Sequence, residues 1–279
     1  MSISRRGALR ALVASGVGLG TGTFAYGAAY ERHRTTLVTL DLPVVGLPPA
    51  LDGFRIGLIT DVHHSATVGA DDVTRAVNML REAAPDLLVL GGDYVTFGDR
   101  QYVGPVAELL SPLADTPQGA YAVLGNHDDD RDMPAALAAR GFTVLKDQRT
   151  AITLRGEPVD LAGIRFWTRK PEDIAHVLRG TRGTTFLLAH DPRRLTEAAA
   201  LDVQLVLSGH THGGQVVLPG IGAVAGRKFP VLAGPAQKDN ATLFVSRGVG
   251  TVYVPVRINC PPEVVVVTLR RRVHFSQIA

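Results

Sequence analysis

Short runs of consecutive apolar residues alternate along the chain with segments in which apolar residues recur every three or four positions. The runs Arg55–Ile59, Asp86–Leu90 and Ala120–Leu124 predict buried strands, because a strand covered on both faces of a sheet shows no polar alternation. Between them, Ala70–Ala84 and Val103–Leu113 have the periodicity of amphipathic helices. This alternation predicts parallel strands that are covered by helices.

The second half of the chain is richer in predicted strands. Residues 143–166 predict short strands around a hairpin turn at Gly156-Glu157-Pro158. Helices are expected at Pro171–Leu178 and Pro192–Ala200. Further buried strands are expected at Thr185–Ala189, Gln204–Ser208, Val216–Leu218, Leu243–Val245 and Glu263–Leu269. The predicted fold class is therefore α/β, with two packed mixed β-sheets flanked by helices in a four-layer α/β/β/α sandwich.

Residues 1–34 have the pattern of an export signal. Arg5, Arg6 and Arg10 precede the uncharged stretch Ala11–Tyr30, and a basic head before a mildly apolar stretch is typical of such signals. The paired arginines resemble a twin-arginine signal, although Ala8 stands where that signal usually has phenylalanine. We therefore expect export through the twin-arginine machinery, to the periplasm, the cell wall or the outer face of the cytoplasmic membrane.

The sequence leaves open whether this segment is cleaved. Ala11–Tyr30 is just long enough to span a bilayer and could remain as an anchor, but its five glycines weaken insertion. The small residues Gly27-Ala28-Ala29 form a candidate cleavage site. We expect residues 35–279 to form one continuous domain, because they contain no long linker or repeat.

The charge balance gives no reason to expect a nucleic-acid partner. The chain has 29 Lys and Arg against 26 Asp and Glu, and without the three arginines of residues 1–29 it carries 26 of each. A neutral surface lacks the basic patch that binds a phosphate backbone. Cys260 is the single cysteine, so the sequence excludes an intramolecular disulfide and a thiolate zinc site. We expect a monomer.

Five predicted strands are followed directly by residues of the types that bind metals. The carboxyl ends of strands in an α/β sheet lie along one edge, where ligands bind, so these residues can converge. Carboxylate, amide and imidazole donors around one point suit divalent Mn, Fe or Zn. The five motifs are Asp61-Val62-His63, Gly91-Gly92-Asp93, Gly125-Asn126-His127-Asp128, Ala189-His190-Asp191 and Gly209-His210-Thr211-His212-Gly213.

This ordered set of motifs resembles the calcineurin-like metallophosphoesterase superfamily, and the resemblance covers nearly all of residues 55–270. A single motif arises often by chance, but five in order, each at a predicted strand end, are specific. Gly214-Gln215, Ser246–Thr251 and Arg257–Pro262 resemble an exported bacterial branch that includes the YkuE and YaeI phosphoesterases. The resemblance implies that residues 35–279 form a metallophosphoesterase domain. That domain would hydrolyse a phosphodiester, pyrophosphate or phosphomonoester with a hydroxide that bridges two metal ions.

The resemblance also implies a set of ligands that would hold two divalent ions. The ligands of the first ion would be Asp61, His63, Asp93 and His212. The ligands of the second ion would be Asp93, Asn126, His190 and His210. Asp93 would therefore bridge the two ions, and the catalytic residue His127 would protonate the leaving oxygen or stabilise its charge.

Several polar residues near the motifs have more than one interpretation. His64 and Asp128 could orient another residue or simply belong to a loop. Thr96 stands where many relatives have the acidic residue that orients the catalytic histidine, so either Asp128 orients His127 or this histidine acts unassisted. Arg247 is a candidate for binding phosphate. The histidines that we expect to have only packing or capping roles are His33, His176 and His274.

Two other functions compete with a phosphoesterase. The first is a non-catalytic metal-binding module on the same fold, which the intact ligand set argues against. The second is a nuclease, which the neutral charge argues against. The expected substrate is a phosphorylated small molecule or a lipid-linked phosphate. In the segment 216–236, the apolar stretch Val216–Val224 would meet a lipid tail if exposed, but we favour a buried hairpin.

Overall fold

Both predicted sheets are present, and most strands lie where the apolar runs predict them. The structure is a computed structural model that describes residues 5–272 of the chain, with side chains from Val17 onward. Its strands are Thr36–Val45 (β1), Arg55–Ile59 (β2), Leu87–Leu90 (β3), Ala120–Ala122 (β4), Thr143–Val144 (β5), Gln148–Leu154 (β6), Glu157–Ile164 (β7), Thr184–Ala189 (β8), Leu205–Ser208 (β9), Val217–Leu218 (β10), Gly222–Ala223 (β11), Gly234–Lys238 (β12), Ala241–Val245 (β13) and Glu263–Arg272 (β14).

Each main sheet has six strands and mixes parallel with antiparallel pairs. The first sheet has the order β1-β14-β2-β3-β4-β5, and the second has the order β12-β13-β9-β8-β7-β6. In the first sheet only the β14–β2 pair is antiparallel among the described strands. In the second sheet β9, β8 and β7 run parallel. The carboxyl ends of β2, β3 and β4, and those of β8 and β9, are therefore aligned within their sheets.

Helices cover the outer faces of the two sheets. The helices are Arg5–Ala29 (α1), Ala70–Ala83 (α2), Val103–Leu110 (α3), Asp132–Ala138 (α4), Pro171–Val177 (α5) and Leu195–Ala200 (α6). In α2, Val73, Ala76, Val77 and Leu80 are buried, which is the spacing of one helical face. The sequence-based prediction of two mixed sheets flanked by helices is confirmed.

The core has three parts, one for each interface between layers. Leu58, Val89 and Val265 of the first sheet pack with Phe186 and Phe244 of the second. A second cluster joins α2, α3 and α4 to the first sheet, and a third joins α5 and α6 to the second sheet. The central strands β2, β3, β8, β9 and β13 are buried on both faces and therefore have few polar positions.

Some elements differ from the prediction in bounds. The helix predicted to end at Leu113 ends at Leu110, and a 3₁₀ turn with Pro112 follows. The helix predicted over Pro192–Ala200 begins with a 3₁₀ turn at Pro192–Arg194, and its α-helical part is Leu195–Ala200. The β6–β7 turn lies at Arg155-Gly156, one residue earlier than predicted, and both residues have positive φ.

The prediction missed α4 and two strands, namely β1 and β12. β1 pairs along its whole length with β14 and lies at the edge of its sheet. Asp41 and Pro43 interrupt its apolar pattern, which an edge strand tolerates because one side of its backbone is unpaired. β12 is also an edge strand and is mostly polar or small.

The apolar stretch Val216–Val224 forms the predicted hairpin, with Val217 paired to Ala223. The hairpin is not buried, however, because Ile221 is 64% exposed and Val224 is 53% exposed. The sequence could not place this hairpin on the surface, since its apolar pattern suits either location.

The last turns of α1 pack against the domain. The Arg257 N–H donates to the Gly27 carbonyl over 3.2 Å, and the Cys260 N–H donates to the buried carboxylate of Glu31 over 2.7 Å. Within residues 5–272, no helix has both the length and the apolar character needed to cross a membrane. The first four residues of the predicted signal and His274 lie outside the described residues.

Candidate metal centre

The loops after five strands bring the predicted ligands to one end of the two sheets. Several of these residues have left-handed backbone conformations, which are uncommon for residues other than glycine. Such backbone geometry costs about 1–2 kcal/mol per residue and is concentrated at functional sites. The positive φ angles are 51° at Asp61, 49° at His63, 57° at Asp93, 74° at His210 and 51° at His212.

Six of the seven predicted ligands form two groups, each suited to one metal ion. The first group is Asp61, His63 and His212, and the second is Asp93, His190 and His210. Within each group, the potential ligand atoms all lie within 4.8 Å of one another. This division agrees with the two ligand sets that the family resemblance implies.

The separations between donor atoms fit coordination around shared ions. Nε2 of His212 lies 3.1 Å from Nε2 of His63 and 3.4 Å from Oδ1 of Asp61. Two ligands of one ion with bonds of about 2.1 Å lie about 3.0–3.4 Å apart. The two imidazole nitrogens can share a hydrogen bond in the metal-free protein, and the same separation fits two ligands of one ion.

One carboxylate oxygen of Asp93 faces both groups. Its Oδ2 lies 3.0 Å from Nε2 of His190 in the second group and 3.6 Å from Nε2 of His63 in the first. The other oxygen accepts a hydrogen bond of 2.8 Å from the His127 N–H. Asp93 therefore has the position of a bridging ligand.

Three buried atoms of the predicted ligands have no hydrogen-bond partner. They are Nδ1 of His212, Oδ1 of Asn126, the seventh predicted ligand, and Nε2 of His190; the last is close to Asp93 but not aligned for a hydrogen bond. Nδ1 of His190 donates to the Gly91 carbonyl over 2.8 Å, which leaves the Nε2 lone pair for a metal. Buried polar atoms without partners are costly, and a bound cation would satisfy those of Asn126 and His190.

In the metal-free protein, a proton on His190 supplies positive charge in the centre. Burial by itself lowers the pKa of His190, but the carboxylates of Asp93 and Asp61 outweigh it and raise that pKa to about 10. Burial raises the pKa of Asp61 to about 6. Burial also lowers the pKa of His63 to about 4. The metal-free centre therefore favours a positively charged His190 next to the carboxylates of Asp61 and Asp93. Bound metal ions would supply more positive charge at the same place.

Thr96 contacts the predicted metal ligand His63 rather than His127. Its hydroxyl oxygen lies 3.3 Å from Nδ1 of His63 and 3.4 Å from the carbonyl oxygen of the same residue. With the hydroxyl donating to the carbonyl, Nδ1–H can donate to the hydroxyl oxygen. This arrangement leaves Nε2 of His63 unprotonated and directed at the first group.

Backbone and aromatic contacts hold His127. The Phe97 N–H donates to Nδ1 of His127 over 3.2 Å, so the neutral ring carries its proton on Nε2. The ring lies edge-on to His63, with centroids 5.0 Å apart. Tyr253, 78% exposed, stands over it at 6.1 Å. Burial lowers the pKa of His127, which also favours the neutral ring.

Asp128 supports the loops instead of His127. Its carboxylate accepts hydrogen bonds from the N–H groups of Gly125, Asp93 and Tyr94 at 2.8, 2.8 and 2.7 Å. It thus ties the loop after β3 to the loop after β4. The sequence-based alternative in which Asp128 orients His127 is not what the structure shows.

The remaining candidates have structural contacts. His64 hydrogen-bonds the Val68 carbonyl through Nδ1 at 2.9 Å and packs edge-on against Tyr102. His33 pairs with Asp72 at 2.8 Å, and His176 is exposed at the end of α5. Arg247 pairs with Glu263 at 3.5 Å, so its guanidinium is engaged.

Glycines allow the loops to approach the carboxylates. A Cβ at Gly125 would collide with Oδ1 of Asp93, and a Cβ at Gly209 would collide with Oδ2 of Asp61. Only glycine fits where backbone passes this close to another group. The sequence did not predict the contacts that Thr96, Phe97 and Tyr253 make with His63 and His127. The glycines next to the predicted ligands, in contrast, could be read from the sequence as a sign of close packing.

Comparisons with known proteins identify the family of the chain. A family model described as calcineurin-like phosphoesterase matches residues 54–214. The chain is 29% identical over 281 residues to the uncharacterized metallophosphoesterase YkuE of Bacillus subtilis strain 168, covering 96% of this chain and 98% of that protein.

Two further proteins are similar to the chain. The phosphodiesterase YaeI of Escherichia coli K12 is 31% identical over 231 residues, covering 77% of this chain and 82% of that protein. A dimetal phosphatase from Danio rerio has a TM-score of 0.44 at 13% identity, covering 71% of this chain and 88% of that one. Since the family model spans more than half of the sequence, the chain belongs to the calcineurin-like phosphoesterase family.

Proposed function

We propose that the protein is a phosphoester hydrolase that acts with two divalent ions. The observation that carries this proposal is the position of Asp93 Oδ2 between the two ligand groups. When bound there, two ions would supply Lewis-acid polarisation of the phosphoryl oxygens and would lower the pKa of bound water. Manganese, iron and zinc all suit this donor set.

The residues of the chain have separate roles in this reaction. One ion would be held by Asp61, His63 and His212, and the other by His190, His210 and Asn126. Asp93 would contact both ions and so set the distance between them. His127 directs Nε2–H toward the reacting phosphate, where it can donate a hydrogen bond to the charged oxygen of the transition state.

The substrate and location are part of the same proposal. The similarity to a phosphodiesterase favours a diester, and the notable alternatives are a phosphomonoester or pyrophosphate of a small or lipid-linked molecule.

The pair Arg5 and Arg6 supports recognition by the twin-arginine export machinery and action outside the cytoplasm. We propose that the protein is a monomer. We also propose that it has no nucleic-acid partner, because the charge balance is neutral outside the N-terminal arginines.

Asp93→Asn tests the function directly. An amide can bind only one cation well, so elemental analysis should fall from two equivalents of Mn or Zn toward one. Hydrolysis of bis(4-nitrophenyl) phosphate should fall by about 10³. Circular dichroism should stay unchanged. Asp71→Asn, at an exposed position in α2, is the matched control and should behave like the wild type.

Two results would contradict the proposal. One is a metal content of zero or one in wild-type protein after reconstitution with Mn or Zn. The other is substantial diester hydrolysis by Asp93→Asn. A fully metal-loaded wild type that hydrolyses no diester, monoester or pyrophosphate would instead favour the non-catalytic module.

A further inference from the structure

A cavity of about 520 Å³ opens beside the metal centre. Two predicted metal ligands, His210 and His212, form part of its lining. A phosphate held at the centre would therefore extend one of its substituents into this space. The volume is within the range of small-molecule binding sites.

The walls of the cavity are apolar and come from three separate parts of the chain. Val224 belongs to the segment that follows the β10–β11 hairpin, Val254 and Val256 belong to the loop before β14, and Phe24 belongs to α1. Phe229 closes another side and contacts His210, with ring centroids 5.1 Å apart. A substituent placed here would be surrounded mainly by hydrocarbon.

Two polar side chains of the lining already have partners. Gln215 donates to the Val252 and Val254 carbonyls and accepts from the Val252 N–H. The Thr211 hydroxyl donates to the Leu232 carbonyl. Lys228 and Tyr253 also line the cavity, but both are exposed to solvent. A sugar or a nucleobase would regain few of the hydrogen bonds to water that it loses here, which is unfavourable. An alkyl chain carries no such penalty and gains from burial.

The wall supplied by α1 is built into the domain. A Cβ at Gly27 would lie 2.6 Å from the Arg257 carbonyl oxygen and 2.9 Å from Cγ1 of Val256, so only glycine allows this contact. Together with the Arg257–Gly27 and Cys260–Glu31 hydrogen bonds, this contact fixes Phe24 beside the cavity. Cleavage at Gly27-Ala28-Ala29 would remove Phe24 from the site.

A second cavity of about 520 Å³ shares Val252, Tyr253 and Val254 with the first. Its lining mixes apolar and polar residues and includes Phe97, whose ring centroid lies 5.1 Å from that of His127. The second substituent of a diester would have space there.

We propose that the cavity between α1, the Val224 segment and the loop before β14 binds the alkyl chain of an amphiphilic phosphate ester. Residues of α1 around Phe24 then belong to the working enzyme as part of its substrate site. The inference rests on the proposed phosphoesterase function and adds the substrate class. The expected substrates are lipid-type phosphodiesters rather than nucleotides or sugar phosphates.

Two synthetic diesters test the proposal, because they share a leaving group and differ in one substituent. They are 4-nitrophenyl methyl phosphate and 4-nitrophenyl octyl phosphate, used with the full-length, metal-loaded protein below the micelle concentration of the octyl ester. The octyl ester should have a kcat/KM at least about tenfold higher, since burial of two methylene groups supplies this factor.

Substitutions on two independent walls should weaken this preference. Phe24→Ala and Val224→Ser should each lower the octyl-to-methyl ratio of kcat/KM about threefold or more. Leu19→Ala, at a 74% exposed position of the same helix and outside the cavity, should keep the wild-type ratio. In calorimetric titrations, octylphosphonate should bind at least about tenfold more tightly than methylphosphonate, with a more negative heat-capacity change.

The possible failures are distinguishable. Equal kcat/KM for the two esters, or a preference that both wall variants retain, would overturn the alkyl site while the phosphoesterase function stands. Hydrolysis of neither ester would overturn the proposed diester hydrolysis. In that case equal affinities for the two phosphonates would also overturn the alkyl site, and tighter binding of octylphosphonate that Phe24→Ala weakens would support it.

Discussion

The hydroxyl of Thr96 lies 3.3 Å from Nδ1 of His63, and the two residues also contact through the His63 carbonyl. His63 follows β2 and Thr96 follows β3, so this contact links the loops of two neighbouring parallel strands. The contact favours one tautomer of His63, a predicted metal ligand. We therefore propose that Thr96 acts on metal binding, whereas the backbone of Phe97 contacts His127.

Thr96→Val should weaken metal binding more than it weakens the fold. Removing a partner of a ligating histidine typically costs about 10- to 100-fold in metal affinity. We expect a loss of at least tenfold, measured by competition with a chelator, and recovery of activity at excess metal. Thr74→Val, exposed on α2, is the control. Unchanged affinity in Thr96→Val would show that the contact does not orient His63.

Metal loading should release protons and become tighter as the pH rises. In the metal-free protein the pKa of His190 is raised to about 10, so this residue is protonated at pH 7 and must lose its proton before it can bind metal. The apparent affinity should rise about tenfold per pH unit for each proton released. Titration in weakly buffered solution should detect at least one proton per chain. Affinity independent of pH between 6 and 8 would contradict this.

Gly125→Ala should disrupt the metal centre because the added Cβ collides with Oδ1 of Asp93. We expect loss of metal and of hydrolysis, with secondary structure retained in circular dichroism. The matched control is Gly104→Ala in α3, where a Cβ meets no atom within 4 Å. That variant should keep its activity and gain at most about 1 kcal/mol of stability from helix propensity.

His127→Ala should lower turnover by about 10²–10³ without changing the metal content. Because the Phe97 N–H occupies Nδ1, we expect the ring to donate a hydrogen bond rather than to transfer a proton. The loss should then be similar for an alkyl ester and for a nitrophenyl ester. A much larger loss for the alkyl ester would identify His127 as a proton donor instead.

Replacing both Arg5 and Arg6 by Lys should leave the protein in the cytoplasm, because the twin-arginine route reads that pair. Cell fractionation of the full-length chain measures this. Changing Arg32 to Lys, outside the pair, is the control and should not alter export. Normal export of the double variant would point to the general secretory route.

The order of the motifs and the apolar runs was enough to predict the fold class, and the same motifs gave the predicted set of ligands. Buried parallel strands are continuous in hydrophobicity, and the residues after their carboxyl ends face a shared edge. The predicted ligands Asp61, Asp93, His190 and His210 follow from this rule. Edge strands such as β1 did not follow from it, because half of their surface faces solvent and their pattern is mixed.

The tertiary structure decided the arrangement around those ligands. The left-handed backbone at Asp61 and Asp93 has no local sequence signal, since it is imposed by the packing of neighbouring loops. Thr96 reaches His63, and Phe24 reaches the cavity beside His210, only because distant segments fold together. The sequence by itself determined which chemical groups are available, because ligand identity is a property of single residues. Their partners and the apolar cavity depend on contacts across the whole chain, which only the folded structure specifies.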